Sequence, residues 1–81
     1  MITEINDSIE VGAVFQKTGL KPVWFVWKGK KYFTERVTYR WKGKHGESWF
    51  YSFSVFDGTN TFELIYDALL LQWKLGRVNL D

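Results

Sequence analysis

The chain has no cysteine, a single proline and a single histidine, and it has no long apolar run. Without thiols it can hold neither a disulfide framework nor a thiolate metal site, and His45 alone cannot assemble a metal site from nitrogen ligands. A reducing, cytoplasmic location is the expectation that follows. The first ten residues carry Glu4, Asp7 and Glu10, where a secretory leader needs a basic start and an apolar stretch. The longest uninterrupted apolar run, Val23 to Trp27, falls far short of the roughly 18 residues that cross a bilayer as a helix. No transmembrane segment is therefore expected, and contact with a membrane is limited to its surface.

Signatures of catalysis are equally scarce. No Ser-His-Asp ordering, phosphate loop or metal-ligand spacing occurs. His45 lies in a Lys-Gly-Lys-His-Gly turn and reads as a solvated loop residue rather than a general base. Glu63 and Asp67 are four residues apart across a strand and its turn, so their carboxylates need not meet. The plainer reading of this pair is a strand-face acid opposite a cross-strand cation, followed by a turn-forming Asp. The chain is expected to be a non-enzyme with no cofactor and no metal.

Aromatic residues, by contrast, are plentiful. They make up 20% of the 81 residues, with five Trp, seven Phe and four Tyr. A chain of this length forms one domain, here residues 1–81, and buries only about 60–65% of the surface its unfolded state exposes. Large rings compensate, since each removes about 150–250 Å² from water.

The patterning is that of strands. Ile9, Val11, Ala13 and Phe15 alternate with a period of two, and the segment from Lys17 to Pro22 reads as a loop punctuated by Gly19 and Pro22. Val23 to Trp27 and Tyr32 to Trp41 flank Lys28-Gly29-Lys30-Lys31 as the arms of a hairpin. A second glycine-punctuated turn, residues 42–47, leads to Trp49, Tyr51, Phe53 and Val55, which alternate with Phe50, Ser52, Ser54 and Phe56. Asp57-Gly58 is a hairpin signal. From Thr61 onward the pattern is ambiguous. Phe62, Ile65, Leu69 and Trp73 share one face of a helix, while Phe62, Leu64, Tyr66 and then Leu71, Trp73, Leu75 suit two strands with a turn near Asp67 to Leu69.

The motifs Trp27-x-Gly29-x-x-Tyr32, Val37-x-x-Arg40-Trp41, Asp57-Gly58, Phe62-Glu63-Leu64-x-Tyr66-Asp67 and Trp73-x-Leu75 resemble those of small uncharacterised bacterial β-domains. These occur as short stand-alone proteins, with relatives at the C-termini of some Y-family-polymerase-like proteins. The likeness covers about residues 22–78, brings no catalytic residues, and implies strand-turn-strand for the C-terminal stretch. The resulting expectation is an all-β fold, a five- or six-stranded antiparallel meander curled into a small open barrel or half-barrel. Its inner set comprises Phe33, Val37, Trp41, Trp49, Tyr51, Phe53, Val55, Leu64, Trp73 and Leu75.

The net charge of +2 is unevenly spread. Residues 21–45 hold eight basic side chains against Glu35 alone, a local +7, and the remaining three basic and eight acidic residues leave −5. Charge acts over about 8–10 Å at working ionic strength, so this segment governs what the molecule attracts. On a flat strand Tyr32, Arg36 and Arg40 share one parity, close to Lys42 and Lys44. Cations interleaved with rings hold single-stranded nucleic acid, phosphates on the cations and bases on the rings, with Phe50 and Phe56 extending the platform. The plain counter-reading is a solvated strand face that discourages edge pairing. The alternative function is a protein-interaction or self-association module, a homodimer in its simplest form, in which Phe50, Phe56 and Trp24 or Trp27 form an apolar patch.

Overall fold

A computed structural model describes residues 1–80. Seven strands make up one antiparallel sheet: β1 (Ile2–Gln16), β2 (Gly19–Trp27), β3 (Lys30–Phe33), β4 (Arg36–His45), β5 (Ser48–Phe56), β6 (Thr61–Asp67) and β7 (Gln72–Asn79). Their order across the sheet is β3-β2-β1-β7-β6-β5-β4, and the sheet is not closed. Two meanders, β1 to β3 and β4 to β7, are thus joined where β1 lies against β7. The long β1 makes this join possible. Its first part pairs with β7, Ile2 opposite Asn79 through Ile9 opposite Trp73, and its second part pairs with β2, Glu10 opposite Val26 through Gln16 opposite Gly19. Residues 1–21 therefore complete the sheet.

The count of seven, rather than five or six, has a local cause. The run Tyr32 to Trp41 does not form one arm but breaks at Thr34 and Glu35, where the chain leaves one half of the sheet for the other. Thr34 N–H donates to the Val23 carbonyl at 3.0 Å, and Glu35 N–H to that of Phe56 at 2.8 Å. Residues 17–22 are also no loop. Only Lys17 and Thr18 turn, and Pro22 sits within β2 opposite Ala13, beside the irregularity at Gly12 and Ala13. Proline is admitted there because β3 pairs only with Trp24 to Trp27, which leaves the first half of β2 as an edge that asks no N–H of Pro22. The C-terminal stretch is strand-turn-strand: Leu64 and Leu75 face each other across β6 and β7 and are both fully buried.

One face of the sheet carries the core: Phe25, Phe53, Val55, Phe62, Leu64, Leu75 and Val78, with Ile9, Val11, Val37, Tyr51 and Trp73 packed against it. Phe25 stacks on Tyr32 at 5.0 Å and meets Phe62 edge-on at 5.0 Å, tying β2 and β3 to β6. Fully burying one such side chain stabilises the fold by roughly 1.5–3 kcal/mol. Three members of the expected inner set are corrected. Phe33 is 65% exposed because its parity places it beside Trp24 on the outer face. Trp41 is 45% exposed on that same outer face, and Trp49 lies on the inner face but at its margin, 43% exposed.

Candidate nucleic-acid interface

The position of Trp41 follows from an irregularity in β4. Val37 pairs with Val55, but the next partners are Tyr39 with Ser54, so Thr38 is an extra residue. Its hydroxyl donates to the Ser54 carbonyl at 3.1 Å. An extra residue reverses the alternation beyond it. Arg40 comes to lie opposite Phe53, Lys42 opposite Tyr51 and Lys44 opposite Trp49, and directly opposed residues share a face. These three cations therefore stand on the inner face.

The seven residues singled out from the sequence consequently divide into three groups. Tyr32 is turned into the core, stacked on Phe25 and 5.2 Å from Phe62. Arg36, before the irregularity, stays on the outer face with its guanidinium 4.7 Å from the Phe56 ring centroid and 3.9 Å from the Glu35 carboxylate. Phe50 is also outward, 6.1 Å edge-on from Trp41. Arg40, Lys42 and Lys44 remain together. The single strand face expected to hold Tyr32, Arg36 and Arg40 does not exist, because the bulge separates the two arginines.

Two of the three cations, Arg40 and Lys42, line a cleft. Phe15, Thr18, Gly19 and Leu20 from the β1–β2 end form one wall, and Arg40, Trp41, Lys42, Tyr51, Phe53, Tyr66 and Ala68 form the other wall and the floor, enclosing ≈ 580 Å³. Beside it along β4 and β5, the ammonium groups of Lys42 and Lys44 each lie 5.5 Å from the Trp49 ring. Arg40, Lys42 and Lys44 are all exposed. No protein family, curated protein or solved structure matches the chain. The cleft has flat rings, Phe15, Tyr51, Phe53 and Tyr66, and exposed positive charge on Arg40 and Lys42.

The carboxylates have structural partners. Glu63 faces Arg77 across β6 and β7, 3.4 Å from its Nε. Asp67 orders the turn that follows it: one oxygen accepts from the Leu69 and Leu70 N–H groups at 2.9 and 3.1 Å and from the Ser48 hydroxyl at 3.0 Å. The Leu70 hydrogen bond, helped by those of Ser48 and Leu69 and by the charge of Lys74, holds its carboxyl below the ordinary value, against a smaller opposing effect of burial. Among the described residues no group of three or more His, Asp or Glu is placed to hold a metal ion. No helix among them is long and apolar enough to cross a membrane.

Phe15 and Leu20 line the cleft and Trp49 stands beside Lys42 and Lys44, although the sequence pattern assigns Phe15 and Trp49 only to strands and Leu20 to a loop. The register of the β4–β5 hairpin carried the missing signal for Trp49: with His45 opposite Ser48, Lys44 must face Trp49. Nothing local in the sequence brings residues 15–20 against β4, because that approach depends on the shape of the whole sheet.

Proposed function

We propose that the chain is a non-catalytic binding module whose inner face takes single-stranded nucleic acid, phosphates along Arg40, Lys42 and Lys44 and bases on Trp49 and in the cleft behind it. The observation that carries this reading is the alternation of three exposed cations, two residues apart, with an exposed indole between Lys42 and Lys44 and an aromatic cleft lined by Arg40 and Lys42. Such residues rise about 6.6–6.8 Å per step along a strand, so the charges form an extended row. Stacking on an aromatic side chain is worth about 1–3 kcal/mol per base, and it requires the open base faces that a duplex keeps stacked inside. The volume lies within the roughly 300–1,000 Å³ typical of ligand sites.

The position of Gly19 and Leu20 in the same cleft as Arg40 and Lys42, and the contact of Phe25 with Phe62, support a sheet curled as a half-barrel, concave toward this face. The resemblance to β-domains found beside polymerase-like proteins is in keeping with a nucleic-acid setting in the cytoplasm. Fluorescence anisotropy of labelled single-stranded and duplex oligonucleotides at about 50 and about 200 mM salt tests the proposal. Saturable binding that prefers the single strand and weakens steeply with salt is expected; no binding at the lower salt would remove it.

A second reading is favoured by a different observation. The outer face bears Phe33, Tyr39 and Trp41, which are 65%, 63% and 45% exposed, and β4 is an unpaired edge. A homodimer joined along that edge would cover Tyr39 and Trp41. Of the candidates read from the sequence, Phe50 and Phe56 share this outer face, whereas Trp27 is turned inward with its indole N–H donating to Asp7 at 3.0 Å and Trp24 lies over Gly12. Sedimentation velocity distinguishes the two readings: a dimer lost on Trp41→Ser supports this one, and a monomer at all concentrations ends it.

A further inference from the structure

The turn joining β6 to β7 is Ala68-Leu69-Leu70-Leu71, and its three leucines are 65%, 61% and 72% exposed. Turn tips ordinarily carry Gly, Asn, Asp or Ser, which suit their backbone and stay in water. Here the backbone itself asks for such a residue. Leu71 has φ of 56°, in the left-handed region that favours Gly and Asn, yet a leucine occupies it. The turn is also held firmly: the Asp67 carboxylate takes the Leu69 and Leu70 N–H groups, and the Ala68 N–H donates to the Trp49 carbonyl at 2.9 Å. Three apolar side chains are thus presented outward by an ordered scaffold.

Their surroundings indicate what they meet. The β1–β2 and β4–β5 turns lie at the same end of the sheet, since Ala68 shares the cleft with Phe15 and Thr18 and is bonded to β5 beside the β4–β5 turn. Phe15, 85% exposed, adds a fourth apolar group. Lys17, Lys44 and Lys74 are exposed in or beside these turns, Lys74 lining a hollow with Leu70, and Glu47 is the one acidic residue within the three turns. The opposite end is mixed in charge, with Lys28 in the β2–β3 turn and Glu35 and Asp57 in the others, and it presents no such cluster of exposed leucines. Protruding apolar side chains bordered by lysines are what the boundary of an anionic bilayer accommodates, the leucines among the acyl chains and the ammonium groups at the headgroups. A flat protein partner would instead be met by a flat patch.

We propose that this end of the molecule docks on anionic phospholipid membranes, with Leu69, Leu70, Leu71 and Phe15 entering the interface. The proposal shares Lys44 and Phe15 with the cleft but rests on the leucines of the β6–β7 turn, which the nucleic-acid reading does not use. Co-sedimentation of the full chain with vesicles of phosphatidylcholine, alone or mixed with phosphatidylglycerol, tests it. Binding is expected for the mixed vesicles, with a blue shift of tryptophan emission from Trp49 beside the turn, and little for the neutral ones. Leu70→Ser and Leu71→Asn should each weaken binding by about tenfold or more. Asn suits the backbone at position 71, so the Leu71→Asn protein should melt no lower than the parent, which separates lost docking from lost folding. Absence of binding to the mixed vesicles overturns the proposal. So does binding that ignores both leucine substitutions but disappears with Lys42→Ala and Lys44→Ala together, since the vesicle would then merely occupy the cationic cleft.

Discussion

Replacing Lys42 by alanine should lower both the affinity for a single-stranded oligonucleotide and its dependence on salt, whereas replacing Arg36 should change neither. The two residues are six apart on the same strand, but the extra residue Thr38 puts them on opposite faces. Each phosphate neutralised on a single strand contributes about −0.7 to the slope of log affinity against log salt. Three contacts, from Arg40, Lys42 and Lys44, give a slope of about −2.1, so a fourfold rise in salt should weaken binding by roughly 18-fold. With Lys42 removed the slope falls to about −1.4 and the same rise should cost about sevenfold. Lys42 is exposed, and its contact with Trp49 at 5.5 Å is a surface cation–π pair worth about 0.5–1 kcal/mol, so the variant should stay folded. Anisotropy titrations of parent, Lys42→Ala and Arg36→Ala across a salt series read these slopes directly. If Arg36→Ala lost as much slope as Lys42→Ala, the inner face would not be the binding face and the reasoning from the bulge would fail.

Three further outcomes concern the fold. Phe62→Ala should cost about 3–5 kcal/mol in urea unfolding, because Phe62 is 1% exposed between Phe25 and Tyr32, whereas Phe33→Ala, at a site 65% exposed, should stay within about 0.5 kcal/mol. Gly12→Val should destabilise by about 1–3 kcal/mol, since any Cβ at position 12 runs into the Trp24 indole; a neutral result would mean that Trp24 does not lie over β1. Asp67→Ala should lower the melting temperature by freeing the β6–β7 turn. Because the folded carboxyl is held below its ordinary value of 3.8, its contribution is complete above that pH and fades as pH falls through the lower folded value. The difference between parent and variant should therefore shrink in strong acid, and a difference that grows there would contradict the assigned hydrogen bonds.

Alternation alone revealed the stretches that carry no extra residue of their own. Along β5, Tyr51, Phe53 and Val55 face inward as their spacing requires, and Leu64 with Leu75 does the same on β6 and β7. It failed where a single residue resets the period. Thr38 looks like any strand threonine, but it moves Trp41 outward and Arg40 inward, so the cation–ring pattern was visible in composition and misplaced in space. Aromatic content also hid the break at Thr34 and Glu35, because Tyr32, Phe33, Val37 and Tyr39 read as one continuous strand. The turn expected near Asp67 to Leu69 runs on to Leu71, which was placed in a strand for a related reason: leucine signals a strand or helix, and only the Asp67 hydrogen bonds and the positive φ of Leu71 make the three leucines a turn. Glu63 and Asp67 were legible because their roles are local, one opposite a cross-strand cation and one in its own turn.

The most direct test of the central claim is a ¹H–¹⁵N correlation titration of the labelled protein with a short single-stranded oligonucleotide. The amides of Arg40, Lys42, Lys44 and Tyr51 and the indole N–H of Trp49 should shift together and saturate, while Arg36, Tyr39 and Phe56 stay in place. Shifts confined to that outer set, or none at all, would contradict a nucleic-acid interface on the inner face.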